Sequence, residues 1–434
     1  MFQQLIEYFR ERSVLILGFG REGRSTYNLI RKNLPEKHIG IADMKQLELD
    51  DPNVTLHCGE DYLDAIEKYE TVIKTPGISF RDVMVPSETE VTCQTDLFMR
   101  FSDCTCVGVT GTKGKTTTST LIYEMVKQSG KSVCLMGNMG LPVLDSIETI
   151  DKGIAVIEMS SHQLEYTTAS PHVAVMTNIY PEHLDHYNGF SGYVAAKLNI
   201  IRHQVGCDYF ICNAEQDFEN YYNFSKTATS VIKVSKNGGR DDQKLIAAAN
   251  ANERLKGIHN QQNVCVAATA ARCLGISEED ILAAVENFGG IENRMEPIGE
   301  YYGIKFYNDA IATIPHAVEC AVEALDDVDT LIFGGMDRGI DYDGFEKYLD
   351  GCKLKNIIGM PDTGVNICNA LLERGCTKNI IIANTMEEAV DAAFRFTAKG
   401  RSCILSPAAS SYNVYKDFEH KGNHYKELVK AWTE

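Results

Sequence analysis

No stretch limits the fold of this chain more than Val107-Gly108-Val109-Thr110-Gly111-Thr112-Lys113-Gly114-Lys115-Thr116-Thr117-Thr118. The apolar run ending at Val109 reads as a buried strand, and the pattern beyond it predicts a helix over 117–127, closed near Gly130. A strand, a glycine-punctuated turn and a helix N-terminus aim backbone N–H groups and a positive dipole end at one point, which suits a phosphate. Lys115 stands where it can reach a nucleotide's outer phosphates, and Thr116 where its hydroxyl can meet a magnesium ion. Val109 occupies the first glycine position of the general P-loop pattern, so the match is to the shorter Gly-x-x-Gly-Lys-Thr core at 111–116.

A chain of 434 residues is too long for one core, and two to four domains are expected. Its apolar runs, such as 13–18 and 153–159, are strand-sized and cannot span a bilayer. The N-terminus lacks a basic segment followed by an apolar one, so no export signal is expected and a cytoplasmic location is. The 14 cysteines are scattered without a Cys-x-x-Cys pair, which predicts reduced thiols and no structural zinc. A formal charge of −18 argues against nucleic-acid binding but not against small anions, whose sites are local.

In chain order, a strand at 13–17 runs into Gly18-Phe19-Gly20-Arg21-Glu22-Gly23, and Asp43 closes the next strand, at 38–42. This literal G-x-G-x-x-G leaves a dinucleotide site open, although any tight strand-to-helix turn selects glycine. A strand from 71 ends in Pro76-Gly77. After the phosphate loop, strands at 132–136, 154–159 and 173–179 end near Asn138, near Glu158 with Ser160 and Ser161, and near Asn178 with His183 and Asp185. Ligands of open α/β sheets bind at such carboxyl ends. A helix from about Gly192 carries Lys197, which on its own reads as an exposed helix lysine. Residues 227–243 read as a polar excursion or hairpin, and an alanine-rich helix follows Gly257. From about Ile291, a hairpin at 299–307 precedes strands at 330–333, 356–359, 379–383 and 402–405, alternating with helices. The expected class is α/β with mostly parallel sheets.

These motifs, taken in order, resemble the Mur ligases, the ATP-dependent amino-acid-adding enzymes of peptidoglycan synthesis, and within them the glutamate-adding branch. The resemblance rests on Gly111-Thr-Lys-Gly-Lys-Thr-Thr117, Glu158-Met-Ser-Ser-His-Gln-Leu-Glu165, Asn178-Ile-Tyr-Pro-Glu-His-Leu-Asp185 and Tyr193-Val-Ala-Ala-Lys197. It continues through His259-Asn-Gln-Gln-Asn263, Asn293-Arg-Met-Glu296, Tyr307-Asn-Asp309 and Leu405-Ser-Pro-Ala-Ala-Ser-Ser411. It implies three domains: residues 1–100, Rossmann-like, for UDP; 101–290, a central P-loop ATPase domain; and 291–434, Rossmann-like, for glutamate. It implies a monomer that uses ATP and Mg2+ to join glutamate to UDP-N-acetylmuramoyl-L-alanine through an acyl phosphate, with no nucleic-acid partner and no membrane insertion.

Residue by residue, the resemblance implies that Gly111, Thr112, Lys113, Gly114, Lys115, Thr116 and Thr117 cradle ATP. Asn263 would meet the adenine, and Arg294 and Asp309 a phosphate and the ribose. Thr116, Glu158, His183 and a carbamylated Lys197 would hold magnesium, with Lys115, His183 and Lys197 catalytic. Gly18, Phe19, Gly20, Arg21, Gly23, Asp43, Gly77, Asn138, Ser160 and His183 would meet the UDP substrate, which displaces the dinucleotide reading. His162 stands where the family often has Phe and reads as packing or substrate-adjacent. Thr313, Arg338, Ser411 and Phe418 would hold glutamate.

The chain departs from the family pattern at two places. Asn308-Asp309-Ala310-Ile311-Ala312-Thr313 has Ile311 where the D-glutamate branch has lysine, and Arg338 replaces another lysine. Arg is a planar fork and Lys a point charge, so the cation's geometry changes. An acidic amino acid is still expected; its handedness stays open between D- and L-glutamate. A nucleotide-binding protein without ligase activity is the remaining alternative.

Overall fold

The computed structural model describes the chain apart from residues 82, 139–141, 151, 183–185, 188, 225–228, 256, 338–341 and 433–434, with backbone alone at 241. It divides into two compact units, Met1–Gly289 and Gly290–Glu434.

The first unit carries two sheets. Strands β1 (Val14–Leu17), β2 (Ile39–Asp43), β3 (Val54–Cys58), β4 (Thr71–Lys74) and β5 (Glu90–Thr92) lie in the order β3-β2-β1-β4-β5. Strands β6 (Thr105–Thr110), β7 (Val133–Gly137), β8 (Ile154–Glu158), β9 (Val173–Met176), β10 (Tyr209–Asn213) and β11 (Ser230–Val234) lie in the order β11-β10-β9-β6-β8-β7. All pairings in both sheets are parallel. The reason is local: β1, β4, β8 and β9 are apolar-rich and buried throughout, as strands covered by helices on both faces must be. A continuous buried cluster runs from Phe9 and Ile16 through Leu97 and Phe98 to Leu144 and Ile157, so the two sheets belong to one compact unit.

The 227–243 segment corrects the expectation of a hairpin. It contributes β11, a parallel edge strand beside β10. Its Ser-Val-Ile-Lys-Val run is only partly buried, so it lacks the apolar signature that identifies central strands.

The second unit holds β12 (Glu296–Tyr301), β13 (Ile304–Asn308), β14 (Val328–Phe333), β15 (Asn356–Gly359), β16 (Asn379–Ile382) and β17 (Ser402–Leu405), in the order β12-β13-β17-β14-β15-β16. Only β12 is antiparallel, and its pairing with β13 shifts register between Pro297 and Gly299. Among the described residues no helix is long and apolar enough to cross a membrane, and none of the 14 cysteines is in a disulfide.

Candidate active site

The phosphate loop leaves β6 in the interior of its sheet, where the chain has strands on both sides: β8 and β7 on one, β9 on the other. That is the switch point at which open α/β sheets take ligands. Gly111 has φ 150°, and a Cβ there would lie 1.9 Å from Thr177 Oγ1. Gly114, at φ 84°, caps the helix Lys115–Gln128, and a Cβ would lie 2.7 Å from Asn263 Oδ1. Both positions therefore require glycine. Backbone N–H groups of Thr112 and Lys113 donate to Asn178 O and Oδ1, each at 2.8 Å. Thr177 Oγ1 donates to Lys113 O at 2.6 Å, and Thr112 Oγ1 lies 2.9 Å from Tyr193 OH. Lys115 Nζ donates to Gly111 O (2.9 Å) and Thr112 O (3.0 Å), across the mouth of its own loop.

Two buried groups flank this loop. Strand register sets Glu158 beside Val109 and Gly137. Its Oε1 accepts from Asn138 Nδ2 at 2.8 Å, while its Oε2 is buried without a hydrogen-bond partner. An orphaned carboxylate oxygen is costly unless a cation meets it, and a hard divalent ion with oxygen ligands is what it suits. Lys197 is 1% exposed and donates to Gly111 O at 2.9 Å and Thr110 Oγ1 at 3.3 Å. Burial, and then the neighbouring Lys115, hold its amine well below the usual lysine range, only partly opposed by Glu182 and Glu158. Burial that loosens the proton of an amine brings it closer to a nucleophile than a solvated surface lysine is. Thr116 is buried in the first turn of the helix.

In the first sheet, Phe19 N–H donates to Asp43 Oδ2 at 2.7 Å, closing the Gly18–Gly23 turn over the end of β2. A Cβ on Gly18 would strike Thr75 Oγ1, and one on Gly23 would strike Gly18 O, both at 2.0 Å. Phe19 itself is buried, whereas Gly20, Arg21 and Gly77 are exposed. Ser160 caps the short helix Ser161–Leu164 in a capping box with Gln163. Gln163 Nε2 donates to Glu22 Oε1 at 3.0 Å, which ties the Gly18–Gly23 turn to the strand end bearing Glu158. His162 packs its ring 4.2 Å from that of His186, and His186 pairs with Glu165 at 3.2 Å.

In the second unit, Thr313, Ser411 and Phe418 line a cavity of about 500 Å3 together with Ile311, Ile314, Ser410 and Tyr412. Ser411 is 2% exposed and its Oγ has no partner. Asp309 lies at the end of β13 and is buried: Oδ2 accepts from Ser406 Oγ at 2.7 Å and Oδ1 from Met295 N–H at 3.2 Å. Burial pushes its carboxyl up to about 6. Arg294, on the turn before β12, is exposed.

His183 and Arg338 lie outside the described residues. The loop is shaped as much by Thr110, Thr177 and Tyr193, which carried no role from the sequence, as by its glycines. Their signal was a hydroxyl on a strand end or one helical turn from Lys197. Among the described residues, His172, Cys207 and Asp208 are the one group with metal-ligand chemistry. They sit at the amino ends of β9 and β10, away from the loop, and a 2.8 Å His172–Asp208 hydrogen bond accounts for their proximity.

Both units are similar to known proteins. Residues 109–271 match the Mur ligase middle domain and 293–409 the Mur ligase glutamate ligase domain. A UDP-N-acetylmuramoylalanine--D-glutamate ligase of Acetivibrio thermocellus is 35% identical over 86% of this chain and 85% of its own. A protein of the same name from Clostridium botulinum is 32% identical over 99% of both chains. Among solved structures, MurF from Acinetobacter baumannii superposes with TM-score 0.61 at 17% identity, covering 98% of each chain. MurF from Thermotoga maritima in complex with ADP gives 0.55, also at 17%, over 96% and 95%. These two likenesses concern the fold alone.

Proposed function

The chain belongs to the Mur ligase family, and from that premise we propose that it is the ATP-dependent ligase joining D-glutamate to UDP-N-acetylmuramoyl-L-alanine in peptidoglycan synthesis. The observation that carries this reading is the pair of buried groups at the phosphate loop: a carboxylate oxygen of Glu158 without a partner and the amine of Lys197, held on Gly111 O and Thr110 Oγ1. Both suit a site that takes a divalent cation beside a nucleotide.

Mg2+ fits the donors present: the Thr116 hydroxyl, Glu158 Oε2, and Lys197 once its amine has taken up CO2 as a carbamate. His183 joins them on the strength of the family match. When bound, Mg2+ supplies the positive charge that lets a phosphoryl group move between two anions. The chain does the rest by position. The loop 111–117 and Lys115 hold the outer phosphates, the N–H groups of Thr112 and Lys113 staying on Asn178, with Lys115 exchanging its two loop carbonyls for phosphate oxygens. Asn263, Arg294 and Asp309 serve the nucleotide. Gly18, Phe19, Gly20, Arg21, Gly23, Asp43, Gly77, Asn138 and Ser160 hold the UDP substrate, so that its alanyl carboxylate reaches the phosphoryl donor and the glutamate amine then attacks the acyl phosphate. Thr313, Arg338, Ser411 and Phe418 hold glutamate. Residues 1–100, 101–290 and 291–434 correspond to the UDP, ATP and glutamate domains of a monomeric cytoplasmic enzyme.

Ile311 in the wall of the Ser411 cavity favours keeping L-glutamate as the second reading, because it removes a cation from the region that must sense handedness. The test supplies UDP-N-acetylmuramoyl-L-alanine, ATP and either D- or L-glutamate, and measures phosphate release and product. Turnover with D-glutamate is expected. Turnover with L-glutamate alone would decide for the second reading, and turnover with neither, while another amino acid works, would end both.

A further inference from the structure

The turn Asn293-Arg294-Met295 is bent into an unusual shape. Asn293 (φ 59°) and Met295 (φ 45°) both occupy the left-handed region although neither is glycine. Residues stay there only when their surroundings impose it. Here the surroundings are specific. Glu296 Oε2 accepts from the backbone N–H of Asn293 at 2.8 Å and from Asn308 Nδ2 at 3.0 Å. Its Oε1 accepts from Lys426 Nζ at 3.1 Å. Asn308 Nδ2 also reaches Asn293 Oδ1 at 2.9 Å, and both asparagines are buried. From the other side, Asp309 Oδ1 takes the N–H of Met295. Two carboxylates therefore grip the backbone immediately before and after Arg294, whose own side chain is exposed. Gly422, on the helix Phe418–Ala431, completes the enclosure, since a Cβ there would lie 1.9 Å from Asn293 Oδ1.

We propose that Glu296 is a positioning residue for ATP: through Asn293 and Asn308 it fixes the bent turn that presents Arg294. The proposal rests on the reading of Arg294 as a nucleotide ligand. Glu296 has no route to substrate of its own, because its oxygens are taken up by Asn293, Asn308 and Lys426. Replacing it with glutamine keeps the shape but removes the charge and sets an amide N–H against a donor, Lys426 or Asn308 Nδ2, so the hold on the turn is weakened.

The experiment measures KM for each substrate in E296Q, R294A and the double variant, with thermal melts to establish folding. E296Q is expected to raise KM for ATP about 10-fold while those for the UDP substrate and glutamate stay within about twofold. In the R294A background E296Q is expected to add less than about twofold, because both act through one side chain. An unchanged KM for ATP in folded E296Q, or effects that multiply in the double variant, would overturn the positioning role. R294A without any effect on KM for ATP would instead remove the reading of Arg294 itself. Should E296Q not fold, G422A decides by the same measurements: the added Cβ displaces Asn293, and KM for ATP is again expected to rise selectively.

Discussion

Ser411→Ala is expected to push stability and function in opposite directions. The Ser411 hydroxyl is buried and has no partner within the protein, so it carries a desolvation cost of about 1–3 kcal/mol that alanine would not. The variant should therefore melt higher, by roughly 2–4 °C per kcal/mol for a unit of this size. On the proposed reading the same hydroxyl donates to a glutamate carboxylate in the complex, and a hydrogen bond to a charged group contributes about 1.5–3 kcal/mol. Its loss corresponds to a rise in KM for glutamate of roughly 10- to 150-fold, with KM for ATP unchanged. Differential scanning calorimetry and steady-state phosphate release read the two effects on one preparation. A variant that melts lower and keeps its KM for glutamate would refute the assignment of this cavity, because the hydroxyl would then be a structural donor.

Further expectations concern the phosphate loop and Asp309. Lys115→Ala should lower phosphate release on the order of 10²- to 10³-fold, the scale of one oriented charge at a transition state; near-normal turnover would sink the ATP assignment. Lys197→Ala should lose activity and recover it in part with a short carboxylic acid, which replaces the carbamate oxygens, and failure of every acid tried would leave that role without support. Gly111→Ala should cost about 1–3 kcal/mol in backbone conformation alone and abolish nucleotide binding, since its Cβ meets Thr177; retained nucleotide affinity in a binding titration would contradict the tight loop. Asp309 has its carboxyl raised from 3.8 to about 6 by burial. The folded form thus binds the proton more tightly, and this stabilising contribution is present below about pH 4 and lost as pH rises through 6. Asp309→Asn should flatten the stability profile of the unit across that window, and an unaltered profile from denaturant titrations would exclude Asp309 as its source.

How far the molecule was legible beforehand follows from what each residue must do. The phosphate loop could be read because few residues other than glycine hold φ values of 150° and 84° beside Thr177 and Asn263, and because a lysine must follow. Central strands could be read because two covered faces demand unbroken apolar runs. Edge strand β11 could not, since half of its surface faces water. Lys197 is the instructive case. Taken singly it reads as a solvent lysine, yet Tyr193, Ile200 and Ile201, at helical spacing around it, are all buried, and they mark its face as the inner one. The Glu158 orphan and the Ser411 cavity depend on which neighbours fail to reach them, and no local pattern encodes an absence.

The two edges of the second unit's sheet are unequally protected against adding a foreign strand. At one, β12 runs antiparallel to β13, its single neighbour, carries Pro297 and a register shift, and exposes Glu300. Each of these spoils the row of unpaired amides that an incoming chain would need. At the other, β16 is Asn-Ile-Ile-Ile, without charge or proline, and Ile382 is 40% exposed. Its shortness, four residues, is its chief safeguard. If the unit loosens during synthesis or heating, self-association should therefore begin at β16, and a lysine at Ile382 is the change that would raise solubility with least disturbance to the cavity around Ser411.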